Sequence, residues 1–181
     1  MSRVSSPFAG PSSSAVARAA IPLRQLSKWV IVLVSLALAS CTPANAPATV
    51  QAGAGAAQER GLARAVNEHR ASIHLPPLRW DAGLAAMARR HSRDMASGRV
   101  PFGHHGFERR IVGARRLGYR NVAENLGTSN AAPDSAAAVA MNGFLLVAPY
   151  RHALEGPYRR TGVGVARDSA GFFFFTQLFA R

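Results

Sequence analysis

The sequence predicts an α+β fold, a three-layer α-β-α sandwich around a small antiparallel central sheet. Two observations carry this. Four consecutive phenylalanines, Phe172–Phe175, stand in a β-rich run. In a strand they point alternately to opposite faces, so both faces of the sheet must be covered. Upstream, helical and β patterns follow in the order helix, helix, short strand, helix, hairpin, which places helices on both sides of that sheet.

The first helix is predicted from Glu59 to His74, where Leu62, Ala65 and Val66 recur at helical spacing among charged residues. "LPPL" stops it, because proline lacks an amide donor and biases its predecessor away from helix. Asp81 is the expected N-cap of a second helix, Ala82 to Ser97, with Leu84, Met87, Ala88, His91 and Met95 on one stripe. His91 reads as a partly buried helix residue. Ser92 beside it is no serine–base pair, since helix neighbours point about 100° apart. A short helix fits Glu108 to Leu117, and a loop from Thr128 to Asp134 follows "NVAENLG". Another helix runs from Ser135 to about Leu146. Gly162–Arg167 and Phe172–Phe179 are β-rich and joined by Asp168-Ser169-Ala170-Gly171, a hairpin connection.

Ahead of this domain the chain reads differently. "RQLSKWVIVLVSLALASC" has cations, an apolar run from Trp29 to Leu38 and small residues ending on Cys41. The run is too short for a bilayer span, which needs about 20 residues, and reads as a cleaved export signal over residues 1–41. Leu38-Ala39-Ser40-Cys41 resembles the lipobox of bacterial lipoproteins, which makes Cys41 the expected site of lipidation and membrane attachment. An ordinary signal cut near Ala46 is the alternative. Residues 42–57 are rich in Pro, Ala and Gly and free of charge and aromatics, a composition that reads as a disordered tether to a domain over 58–181. Cys41 is the only cysteine, so the domain is held by core packing and not by disulfides.

The formal charge is +13, and leaving out Arg3, Arg18, Arg24 and Lys28 gives eighteen arginines against nine acids, or +9. Such a field suits any polyanion. The arginines are scattered along the chain, as at Arg79, Arg109, Arg120 and Arg151, with no zinc-finger or RNA-binding signature, so no nucleic-acid partner is expected.

The motifs "VNEHR", "LPPLRWDAGLAAMARRHSRDMA", "GHHGFERR", "GYRNVAENLG", "GVGVA" and "FFFFTQLFAR" occur in one order from about Gly61 to Arg181. That order resembles the CAP superfamily, the cysteine-rich secretory protein, antigen 5 and pathogenesis-related 1 group, also called SCP-like domains, in its bacterial, disulfide-free branch. The resemblance implies a sandwich with a central cleft. In many members two histidines and two acids in that cleft can bind a divalent metal such as zinc. His104 and the pair Glu124-Asn125 match this pattern, with His105 a solvent-facing neighbour.

Other family positions depart from it. Phe144 stands at a tryptophan, Tyr150 near the second histidine, Ala153 near an asparagine and Phe174 at a histidine of the eukaryotic branch, and no acid matches in Asn142–Val147. His152 lies two positions past the missing histidine, a displacement of about 200° on a helix, so it would substitute only from a loop.

Three functions are compatible with these residues: a non-enzymatic binding module for a lipid or envelope component, a metal-assisted hydrolase using His104 and Glu124, and a basic protein binding anionic envelope polymers. The departures favour the module. An exported, membrane-anchored lipoprotein facing the periplasm or the cell surface is the expected location.

Overall fold

The computed structural model describes residues 48–181. The proposed leader, Cys41 included, and residues 42–47 of the proposed tether lie outside them. The first helix, α1, spans Ala48–Ser72, so a boundary at Gln58 falls inside it and residues 48–57 are helix rather than tether. Two physical reasons account for the difference. The prolines end at Pro47, leaving a stretch with five alanines, the best helix formers, which offset Gly53 and Gly55. The stretch is also anchored at its C-terminal end against the sheet: Gly55 lies against the carbonyl of Val165, and the next turn buries Gln58 and Glu59. Beyond Ser72 the chain closes with the Leu75 N–H donating to the Arg70 carbonyl at 2.8 Å, while His74 takes a left-handed φ of 61°.

Helix α2 covers Ala82–Ala96 and α3 covers Phe107–Arg116. Asp81 caps α2 as expected, its Oδ1 accepting from the Leu84 N–H at 2.8 Å. Strand β2 is Val122–Ser129 and α4 is Pro133–Leu146. The segment after Val147 forms a further helix, α5, Ala148–Glu155, with Pro149 in its first turn. Strands β3, Arg160–Arg167, and β4, Phe173–Ala180, form the hairpin.

A two-residue strand, β1, Arg79–Trp80, completes a sheet of order β1-β3-β4-β2. β1 pairs parallel with β3 while the other pairings are antiparallel, so the sheet is mixed and not antiparallel throughout. Two residues carry no periodicity that would have marked them as a strand.

Helices α1, α4 and α5 cover one face and α2 and α3 the other, as the phenylalanine run requires. Phe173, Phe175 and Phe179 enter the larger core with Leu62, Val66, Phe144 and Val163, while Leu178 and Ala180 face α2 with Leu84 and Ala88. "GVGVA" serves the same division. A Cβ on Gly162 or Gly164 would stand about 2 Å from the backbone of α2, whereas Val163 and Val165 fill the opposite core. Both cores and all four strands lie in one compact unit within the described residues, which therefore carries what independent folding needs.

Candidate functional site

The edge strand β2 presents Glu124 on its α2/α3 face and Asn125 on the other, because successive residues of a strand alternate. His104, in the loop before α3, meets Glu124 through Nδ1 and Oε1 at 2.9 Å. The two residues singled out from sequence are thus neighbours in space. His104 is about half exposed at 47 % of its side chain, while the Glu124 side chain is fully buried at 0 %.

What holds that buried carboxylate is Arg110 of α3. Its Nε donates to Oε2 at 2.5 Å and its Nη2 to Oε1 at 2.7 Å, a two-pronged guanidinium–carboxylate pair, and Nη1 reaches the carbonyl of His105 at 2.9 Å. Arg110 was missed in the sequence, although a signal was there. Phe107, Arg110 and Ala114 follow helical spacing, which places an arginine on the inward stripe of α3. An inward guanidinium needs acceptors for its donors, and a carboxylate opposite supplies two at once, as Glu124 does here.

The wall beside His104 is aromatic. The Tyr150 ring stands edge-on at 6.2 Å between centroids and Phe107 at 6.3 Å, with Phe144 behind Tyr150 at 5.7 Å. Burial, then the Glu124 charge, pushes the Tyr150 hydroxyl above its ordinary pKa, so it stays protonated. The Tyr150 carbonyl accepts from Asn125 Nδ2 at 2.9 Å. His91 on α2 is buried and bonded through Nε2 to the Gly103 carbonyl at 2.9 Å, a structural role for the loop that carries His104. Ser92 is likewise structural, donating to the Gly164 carbonyl and pairing with Thr176.

These donors do not fit a divalent metal. A catalytic zinc takes three protein ligands and a structural one four. Among the described residues no three His, Cys, Asp or Glu side chains converge. Both Glu124 oxygens are engaged by Arg110. His152 does not complete a set: it lies exposed on α5, two positions past Tyr150, and a helical residue two on is rotated by about 200°. His105 is exposed, as expected of the outer member of the pair.

A model of the cysteine-rich secretory protein family matches residues 63–179, well over half of the chain. The chain belongs to this family. Solved structures agree on the fold. An extracellular protein containing an SCP domain from Bacillus anthracis is 25 % identical with a TM-score of 0.63, covering 75 % of this chain and 44 % of that one. An outer surface protein of Borrelia burgdorferi is 17 % identical, TM-score 0.57, covering 67 % and 90 %. A cysteine-rich secretory protein of Staphylococcus aureus is 20 % identical, TM-score 0.56, covering 70 % and 39 %. This chain therefore spans less than half of the Bacillus and Staphylococcus proteins it is similar to. A search of curated protein sequences finds no match. Among the described residues no helix is long and apolar enough to cross a membrane.

Proposed function

We propose that this family member is an exported, lipid-anchored domain of the bacterial envelope that acts as a non-enzymatic binding module for a lipid or another envelope component. The observation that carries the reading is the state of Glu124. A general base must reach water or substrate, and a metal ligand must offer a free lone pair. The Glu124 carboxylate is fully buried, with both oxygens held by Arg110 and one also by His104. It serves as a strut that fixes the His104 loop and α3 to β2.

Export and attachment through Cys41 are supported by the leader pattern, and the Bacillus and Borrelia neighbours are described as extracellular and outer-surface proteins. Apolar surface is left for a ligand at the α4–α5 turn, where Leu146 is 87 % exposed and Val147 is exposed next to it, with Val139 exposed two turns earlier on α4. The phenylalanine run divides: Phe173 and Phe175 are spent on the core, while Phe172 is exposed and the half-buried Phe174 packs against exposed Phe102 at 6.4 Å between centroids, a second apolar patch.

Native mass spectrometry of residues 42–181, purified without detergent or a histidine tag, tests the reading. A lipid-sized adduct is expected. A stoichiometric zinc adduct that disappears in His104→Ala would overturn it in favour of a metal-assisted hydrolase.

A further inference from the structure

Arginines far apart in sequence meet at one end of the sheet. The strands β1, β2 and β3 begin there and β4 ends there, with Arg79 opposite Arg160, and Arg160 and Val122 both opposite Ala180. The flanking residues continue the ladder. Arg79 N–H donates to the Arg159 carbonyl, Arg159 N–H to that of Ala180, and Arg120 N–H to that of Arg181. Every strand of the sheet therefore brings an arginine to this end, in a row whose four strands span about 14 Å.

The row lines a cavity of about 1110 Å³ whose wall includes Arg79, Arg120, Arg159, Arg160 and Arg181. A second hollow shares Arg120 and Arg181 and extends the groove to Arg115. Glu155 is the one acidic side chain on the main wall, and it is paired with His69 at 3.0 Å. Asp81 stands nearby, but its oxygens accept from Leu84 N–H and the Tyr119 hydroxyl. No carboxylate side chain of the described residues pairs with any of the five arginines. A terminal carboxylate at Arg181 would subtract one charge and leave the excess positive.

Of the five arginines, Arg160 alone feels a nearby carboxylate charge, that of Asp81, so the row keeps an excess of positive charge that a ligand carrying several phosphates compensates while using the paired guanidinium donors. We propose that this groove binds a phosphate-bearing polymer of the envelope. The arginines line a concave groove and not a flat face, which suits a chain of phosphates that can lie along it better than the planar array of headgroups on a bilayer.

The proposal rests on the domain being a binding module, and names its partner. Its test is titration of residues 42–181 with inorganic polyphosphate, followed by the fluorescence of Trp80, which neighbours Arg79 and is 40 % exposed. Saturable binding is expected that weakens by about a hundredfold between about 50 and about 200 mM salt. The triple variant Arg79→Gln, Arg120→Gln, Arg159→Gln should lower the log–log salt slope by about two. The control Arg64→Gln, Arg90→Gln, Arg151→Gln, with the same loss of charge elsewhere on the exposed surface, should leave that slope unchanged.

Equal loss in the control overturns the groove, as does an absence of binding at low salt. Tighter binding to phosphatidylglycerol vesicles than to polyphosphate overturns the polymer in favour of a lipid surface. If the triple variant does not melt cooperatively, Arg79→Gln alone serves, with a slope change of about 0.7. None of these outcomes bears on the adduct that tests the module reading.

Discussion

Arg110 and Glu124 form a pair whose removal is asymmetric. Breaking a buried pair by deleting one partner costs about 3–5 kcal/mol, because the other charge stays buried without compensation, whereas replacing both by apolar groups is often neutral. Arg110→Ala should therefore destabilise the domain by about 3–5 kcal/mol in urea unfolding, while Arg110→Met with Glu124→Leu should recover most of it. A loss below about 1 kcal/mol in Arg110→Ala would show that the pair is not the strut described here. His91 sets a pH dependence. Burial, then the Arg110 charge, holds its pKa below the ordinary value, with Glu124 and the Gly103 carbonyl only partly opposing. The folded state thus binds fewer protons than the unfolded one. The stability from neutral His91 is present above about pH 6.5 and is lost as pH falls from there toward the folded pKa. The melting temperature should drop between about pH 7 and about pH 5.5, and His91→Gln, which keeps a donor for Gly103, should flatten that slope.

The approach of α2 to β3 depends on two glycines with no side chain in the way. Gly164→Ala puts a Cβ about 2 Å from the backbone of Arg89, and the atom it meets cannot move aside without shifting the helix. A cost of about 3 kcal/mol is expected, at the upper end for overpacking. Gly98→Ala is the comparison, since nothing lies within 4 Å and only its φ of 69° opposes the change; about 1 kcal/mol is expected there. Equal destabilisation of the two in thermal melts would mean that close packing is not what the strand glycines provide. The helices α2, α3 and α4 and the hairpin were legible in sequence to within a residue or two. Their signals are local, comprising a cap at Asp81, a stripe at helical spacing and a glycine-containing turn. The strand β1 and the helix α5 were not. β1 is a strand only because β3 pairs with it. α5 begins at Ala148-Pro149, a pair that reads equally well as a loop.

For the molecule as a whole, the start of α1 is testable. Gly55 touches β3, while Glu59 is buried and bonded to Arg89 at 2.5 and 2.8 Å, so a chain beginning at Gln58 leaves that pair in a frayed first turn. Residues 58–181 should unfold at lower urea than residues 48–181, by about 1 kcal/mol or more; coincident curves would restore the tether reading for 48–57. The three-layer plan and the meeting of His104 with Glu124 were foreseen, the first from strand alternation and the second from the family resemblance. Strand and helix periods are recorded residue by residue, which is why the layers were readable before any coordinates. The partner of Glu124, the mixed sheet and the gathering of Arg79, Arg120, Arg159, Arg160 and Arg181 at one end were not readable, and a list of scattered arginines had even argued against a single basic site. These depend on which strand ends are brought side by side. Strand order and register join residues distant in the chain, and no local pattern of side chains encodes that joining.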